Sequence, residues 1–325
     1  MSTMTIPAEQ LVIITPRIEI WSGSVKLERS TDLSQVNGQL PPKGLVSDGR
    51  KQLISTLPLR PMHNVRKQIE RTLKAEGFAG LVGTGIAVTA AKAESFIQGL
   101  PKLEQEFETA REGLIKHLPD HYVAQENLYP LWTTMLQSAR LSADEVRSRC
   151  KFGVAIFRLA PPDNDPKSKA TQLYTEMTQS ALPTLLQDVS AEAADLIDRF
   201  KGKARVKQSQ VLPVKRLVRK LKGFAFLDPR VQPVAAGLLS VLDSLPMTGA
   251  LDTPQTAICV SVLSQLMNPA MIIAHGVGVI AQNAIAQPEP VIQSELPIDA
   301  VDEAVAVPPP PATPASRRRG FAVAL

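Results

Sequence analysis

The chain has 325 residues, of which 44% are hydrophobic and 21% are charged, so it can bury a sizeable core. This composition excludes a wholly disordered chain and a collagen-like fibre. Aromatic residues make up only 4% of the chain, which favours a helical core built from Leu, Val, Ile and Ala.

Cysteine content and the amino terminus bear on the compartment. Two cysteines, Cys150 and Cys259, are too few for a disulfide framework or a four-cysteine zinc site, and they indicate a reducing environment. The first residues lack the basic and then apolar pattern of a secretory signal, and no lipidation motif follows. We therefore expect a bacterial or phage protein of the cytoplasm.

Strand-like sequence occurs in two places. Residues 11–25 begin with an apolar run and then alternate apolar with polar positions, and Pro16 is expected to end one pairing segment. Residues 151–160, KFGVAIFRLA, form the second. Between them, residues 78–90 are rich in glycine and predict a loop that leads into a short strand.

Most of the other segments have helical periodicity. Residues 62–76 repeat apolar side chains every three to four positions, and a long amphipathic helix capped by Thr89 is expected to reach Leu118. Its length favours packing against a second helix, at 121–139, as an antiparallel hairpin. Ser142 to Glu145 is a capping-box sequence. Further helices are expected over 167–201 with a break near Pro183 or Ser190, and over 213–221, 230–245 and 254–267.

These segments predict a mainly helical α+β fold with a long antiparallel helical hairpin and a small β element. Residues 1–160 form an α+β region that contains the long helix, and residues 161–286 form a helical region that contains a basic segment. Residues 287–325 include eight prolines and are expected to be a disordered tail, because they contain too few apolar groups to offset the entropy of ordering.

The glycine-rich loop is the first candidate for ligand binding, since phosphate loops use glycine where the backbone must approach an anion closely. Its glycines are Gly80, Gly83 and Gly85. No Gly-Lys-Ser/Thr follows, and the segment leads into a strand where a phosphate loop needs a helix. We interpret it as a turn.

Two groups of residues suggest metal chemistry. His117, Asp120 and His121 are close in sequence, but Pro119 separates them and no fourth ligand is evident, so we assign no metal and no cofactor. Asp163, Asp165 and Lys167 resemble the acidic and lysine elements of a metal-dependent nuclease, yet they crowd into one proline-broken loop. A nuclease therefore stays only as an alternative.

Nucleophile candidates are weak. Ser22 and Ser24 lack the sequence context of a catalytic serine, and no histidine is placed to activate them. Cys150 has basic neighbours that would lower its pKa if it were exposed, but a buried position at a helix end fits the sequence better. We expect no catalytic residues.

The strongest signal is a basic segment. From Arg199 to Leu227 there are ten basic residues and no acidic one, although the net charge of the whole chain is only +5. In the helix expected there, an apolar stripe leaves the lysines and arginines to spread over the remaining surface. Such a helix can present cations to phosphates. The residues expected to bind nucleic acid are Lys203, Arg205, Lys207, Lys215, Arg216, Arg219, Lys220 and Lys222.

A second unusual stretch, Thr253 to Pro288, contains no Asp, Glu, Lys or Arg. It is long enough to cross a bilayer, because about 20 apolar residues suffice. Polar residues such as Asn268 and Gln282 interrupt it, and no aromatic belt flanks it. A buried helix pair or a homo-oligomer interface is favoured over a membrane-inserted segment.

The order of features at the amino end is similar to that of a known family. The segment IEIWSG at 18–23 is followed by LPPK at 40–43, a helix, a glycine-rich strand and a long charged helix. This order resembles domain-of-unknown-function family 3150 of phages and mobile elements, over about residues 10–160 and more weakly to about 245. The resemblance implies an accessory role, because such proteins are often encoded beside MoxR- or CobS-like ring ATPases.

These observations lead to one main hypothesis and two alternatives. We expect a non-enzymatic accessory protein of a phage or mobile-element system that binds nucleic acid through the basic helix. The resemblance alone adds a ring ATPase as a partner. The alternatives are a membrane-active or pore-forming effector that uses residues 253–288, and the metal-dependent nuclease.

Overall fold

Four consecutive apolar residues, Leu11 to Ile14, form the first four positions of a strand and are buried on both of its faces. This strand (β1, Leu11–Pro16) pairs antiparallel with β6 (Ile86–Thr89) on one side and with β7 (Val154–Arg158) on the other. A short strand, β5 (Phe78–Ala79), pairs with β6 and completes a four-stranded sheet in the order β5-β6-β1-β7. A central strand with two covered faces is apolar at every position, which explains the unbroken run.

The computed structural model describes residues 10–28, 45–47, 49–162, 168–200, 206–246 and 248–286. The described residues up to Ala284 form one compact unit. The predicted proline-rich tail lies outside the described residues, and the predicted boundary near residue 160 stays a prediction.

Five helices pack on one face of the sheet. Their buried side chains form a core with Val12 and Ile14 of β1 and with Ile86 and Val88 of β6. The helices are α1 (Arg60–Glu76), α2 (Ala90–Lys116), α3 (Leu118–Leu128), α4 (Thr133–Gln137) and α5 (Ala143–Arg149).

The opposite face of the sheet carries the second half of the chain. Leu11 and Ile13, which alternate with the previous pair along β1, pack with Phe78 and Ala87 against a second core. The helices of this half are α6 (Lys169–Phe200), α7 (Gln208–Gly223), α8 (Val231–Asp243), α9 (Thr253–Leu266) and α10 (Pro269–Ala286).

Two smaller sheets complete the described structure. One has the order β2-β4-β3, and the other pairs β8 with β9. Their strands are β2 (Ser24–Lys26), β3 (Val46–Ser47), β4 (Arg50–Gln52), β8 (Val206–Lys207) and β9 (Ala250–Leu251).

Several predictions from sequence are confirmed. The fold is α+β and mainly helical. Helix α1 buries Met62, Val65, Ile69 and Leu73 on one side, Thr89 caps α2, and the capping box of Ser142 and Glu145 is formed. The glycine-rich segment is the turn of the β5–β6 hairpin, where Gly80 and Gly83 have positive φ and Gly85 packs its Cα against Ile13.

The antiparallel partner of the long helix α2 differs from the expected one. The segment expected to form one helix at 121–139 is broken at Tyr129 and Pro130 into α3, a 3-10 turn and α4. Helix α2 packs instead against α1, which precedes it. Pro61 lies beside Ala110 and Leu114, and Glu76 at the other end forms an ion pair with Lys92.

Two helix predictions need correction. Helix α6 is continuous for 32 residues, so the expected break at Pro183 or Ser190 is wrong. Pro183 is exposed, so water can satisfy the carbonyl that loses its helical partner. Helix α10 is the second helix of the pair predicted after Thr253, but it is not fully buried as expected, because Met271 and Val277 are exposed.

Candidate nucleic-acid interface

The basic segment forms helix α7, which docks by an apolar stripe. Val211, Val214, Leu217, Val218 and Leu221 are buried among residues of α6, α8 and α9. The helix contains no acidic residue. Its cations therefore find partners only on other elements or remain in solvent.

Lys220 does not lie on the surface. Its side chain is 2% exposed, and its Nζ donates to Asp188 at 2.6 Å, to Glu192 at 3.3 Å and to the main-chain oxygen of Lys74 at 3.1 Å. An ammonium has three N–H donors, so all of them are used. The predicted place of Lys220 on the helix surface is wrong, because this side chain joins α7 to α6 and α1.

Lys215 is also buried, with 8% of the residue exposed. Its Nζ donates to Asp243 of α8 at 2.9 Å. This hydrogen bond, and the positive charges of Lys215 and Arg219, lower the pKa of the Asp243 carboxyl. Lys215 therefore holds α7 to α8, and its predicted place on the open surface is wrong.

Arg216, Arg219 and Lys222 remain exposed, Arg216 and Arg219 on the side of α7 opposite the apolar stripe and Lys222 at the margin of that stripe. Within the described residues none of the three forms a hydrogen bond or ion pair. Lys207, at the residue before the helix, is exposed as well. Lys203 and Arg205 lie outside the described residues. We call Arg216, Arg219 and Lys222 the α7 basic face.

The other sequence candidates have structural roles or are not brought together. The amide of Trp21 donates to Sγ of Cys150 at 3.5 Å, and burial raises the pKa of this thiol. The hydroxyls of Ser22 and Ser24 share a 2.8 Å hydrogen bond in a turn, and the guanidinium of Arg50 donates hydrogen bonds to both hydroxyls. These contacts, with the positive φ of Gly23, account for the WSGS segment as a turn.

The histidine candidates lie at the junction of α2 and α3. Nδ1 of His117 is 3.4 Å from Oδ2 of Asp120, and burial lowers the pKa of His121. No group of three or more potential metal ligands occurs in the part of the chain that the structure describes. The nuclease-like residues Asp163, Asp165 and Lys167 lie outside that part.

The uncharged stretch from Thr253 forms α9 and α10. Helix α9 is largely packed inside, with Cys259, Val262, Leu263 and Leu266 buried, whereas α10 leaves Met271 55% and Val277 50% exposed. Among the described helices none is long and apolar enough to cross a membrane alone, and α9 with α10 would do so only as a pair bent by 99°.

One basic surface was missed from sequence. Helix α1 carries four exposed cations, Arg60, Lys67, Arg71 and Lys74, along the side opposite its buried residues. Their spacing of seven, four and three residues is a helical repeat and could have been found by plotting charge with a period of 3.6. Acidic residues elsewhere in the same segment hid the signal.

Comparison with known proteins identifies a family. A family model described as "Protein of unknown function (DUF3150)" matches residues 8–268, from the start of β1 to the end of α9. No curated protein matches, and no solved structure matches.

Proposed function

The chain belongs to the DUF3150 family, and from that premise and the α7 basic face we propose that it is a non-enzymatic cytoplasmic accessory protein that binds nucleic acid. The protein serves a phage or mobile-element system, as the family resemblance suggests. The observation that carries the proposal is the exposure of Arg216, Arg219 and Lys222 on a helix without acidic residues.

The two buried lysines strengthen this argument. Lys215 and Lys220 are neutralised by Asp243, Asp188 and Glu192, which fix α7 against α6 and α8. The exposed cations of this anchored helix are open to solvent. Because the helix is already held in place, contact with phosphates does not require the helix backbone to become ordered, and each contact releases counterions from the nucleic acid.

Backbone contact without sequence readout is the expected mode. The α7 basic face contains no aromatic residue, and Phe224, just after the helix, is fully buried. Stacking on single-stranded bases needs exposed rings, so a duplex is the better ligand for this face. Partnership with a MoxR- or CobS-like ring ATPase rests on the family resemblance alone.

The absence of an enzymatic role is part of the proposal. It is supported by the structural roles of the nucleophile candidates, since Cys150 is buried beside Trp21 and the hydroxyls of Ser22 and Ser24 are engaged with each other and with Arg50.

Binding to duplex DNA tests the proposal. In fluorescence anisotropy with the full chain, the variant R216E/R219E/K222E should bind a labelled duplex at least about tenfold more weakly than the natural sequence. A matched control, R149E/R158E/K169E, reverses three exposed cations on α5, β7 and α6 and should bind normally. Equal loss in both variants, or in neither, contradicts the proposal.

A membrane-active role is the second candidate, favoured by the apolar exposure of α10. Val277 and Ile280 are 50% and 41% exposed on a helix without charged residues. Flotation with anionic vesicles tests it: binding that is lost in the exposed-face variant V277D/I280D would support this role. Failure of the natural protein to float would reject it.

A further inference from the structure

Four of the five exposed cations of α1 form a straight line, which we call the α1 stripe: Arg60, Lys67, Arg71 and Lys74. At 3.6 residues per turn they fall within an arc of about 60°, and at 1.5 Å per residue they span about 21 Å. The opposite side of the helix holds Met62, Val65, Ile69 and Leu73 in the core. The stripe therefore points away from the protein along the whole helix.

Carboxylates on the same helix do not neutralise the stripe. Glu70 is occupied by Arg66 at 2.9 Å, and Glu76 by Lys92 at 2.8 Å. Both of these cations lie outside the stripe. Within the described residues, Arg60, Lys67, Arg71 and Lys74 have no ion-pair partner. Burial and the nearby charges of Arg66 and Lys67 lower the pKa of His63, which is consistent with a positive local field.

The middle of the stripe borders a shallow groove of about 480 Å³. Every side chain that lines it can donate a hydrogen bond, and none is a carboxylate. These residues are Asn64, Lys67, Gln68, Arg71 and Thr72. A groove of this chemistry suits an anion with many acceptor oxygens.

We infer that the α1 stripe is a second surface for the phosphate backbone of duplex nucleic acid. A duplex carries one charge per about 1.7 Å of its axis, so about 21 Å of contact offers more phosphates than the four cations can use. The contact is therefore independent of register and of sequence. Helix α1 has no Phe, Tyr or Trp, so phosphate contact is favoured over base stacking on this surface.

The stripe and the α7 basic face lie on adjoining helices. Nζ of Lys220, in the last turns of α7, donates to the main-chain oxygen of Lys74 at the end of α1. One duplex that contacts both helices gains more than a duplex on either alone, because the second contact is intramolecular. The inference rests on the proposed function for its ligand, but it concerns residues outside the basic segment.

Anisotropy with the full chain and a labelled random-sequence duplex tests the inference. The variant R60E/K67E/R71E should raise the Kd at least about tenfold at moderate salt. A control on the same helix compares single changes: R71Q should weaken binding several-fold, whereas R66Q, which removes a cation already paired with Glu70, should not. Circular dichroism should show the same helix content in all variants.

Each outcome has a separate meaning. If R60E/K67E/R71E binds like the natural protein while R216E/R219E/K222E is impaired, the inference is wrong and the proposed function stands. If R60E/K67E/R71E and R216E/R219E/K222E are both impaired and R149E/R158E/K169E is not, the inference and the proposed function are both supported. If the natural protein does not bind the duplex but binds anionic vesicles through the α1 stripe, the inference and the proposed function are both overturned.

Discussion

Nζ of Lys220 on α7 lies 3.1 Å from the main-chain oxygen of Lys74 on α1, with Asp188 and Glu192 of α6 as its other acceptors. One buried ammonium thus joins three helices from both halves of the chain. The sheet lies between the two cores to which these helices contribute. Lys220 is for this reason a structural residue within the basic helix.

Replacement of Lys220 should destabilise the fold. K220M leaves the oxygen of Lys74 without its donor and two half-exposed carboxylates without their cation, so we expect a loss of about 2 kcal/mol in the free energy of unfolding. The measurement is urea denaturation followed by circular dichroism. K222M, an exposed change two residues away, should shift the free energy by less than about 0.5 kcal/mol. Equal effects would contradict the assignment.

Two glycines of α10 should respond oppositely to alanine. A Cβ on Gly276 would lie 2.2 Å from the carbonyl oxygen of Arg230, so G276A must displace α10 and should cost about 1–3 kcal/mol. A Cβ on Gly278 meets nothing within 4 Å. G278A should stabilise the helix by about 0.5–1 kcal/mol. Thermal unfolding compares them, and a neutral G276A would show that α10 does not pack as described.

Acid should weaken the turn before α8. Asp228 is buried, and hydrogen bonds from the side chain and amide of Arg230 lower the pKa of its carboxyl below the ordinary 3.8. A lowered carboxyl pKa stabilises the fold above the unfolded pKa, and this stabilisation is lost as the pH falls through the folded pKa. The difference in the free energy of unfolding between the natural protein and D228N should therefore be largest near neutral pH and should shrink below pH 3.8. A difference that is constant with pH would contradict this role.

Both thiols should be unreactive in the folded protein. Cys150 and Cys259 are fully buried, and burial raises the pKa of each. Titration with a disulfide reagent should detect no rapidly reacting thiol in the native state and two after denaturation. S209C, which adds a thiol at an exposed position of α7, serves as the positive control. Rapid reaction of a native cysteine would place it at the surface.

Sequence patterns predicted the elements better than their partners. The period of α1, the cap of α2 at Thr89 and the capping box at Ser142 are local features, and each is confirmed. The acceptors of Lys220 on α6 are 28 and 32 residues away, and the one on α1 is 146 away, so no local pattern could reveal them. The apolar stripe of α7 does not show that lysines at its margins are covered by neighbouring helices.

The same reason explains the pairing of the long helix. Its charge and length predicted an antiparallel partner, but several segments could fill that place. The break at Tyr129 and Pro130 leaves the segment after α2 without one helix long enough to pair with α2. Helix α1 packs there instead, because the β5–β6 hairpin turns the chain back so that α2 runs beside α1. The α1 stripe was missed because acidic residues share its segment, and only the structure shows that one of them, Glu70, is paired with Arg66 outside the stripe.

The salt dependence of duplex binding tests the central claim most directly. The logarithm of the binding constant falls against the logarithm of salt concentration with a slope of about −0.9 per phosphate contact. Removal of three contacts by R216Q/R219Q/K222Q should make this slope less negative by about 2.7. K222Q alone should reduce it by about 0.9. A slope equal to that of the natural protein would show that the α7 basic face does not meet phosphates.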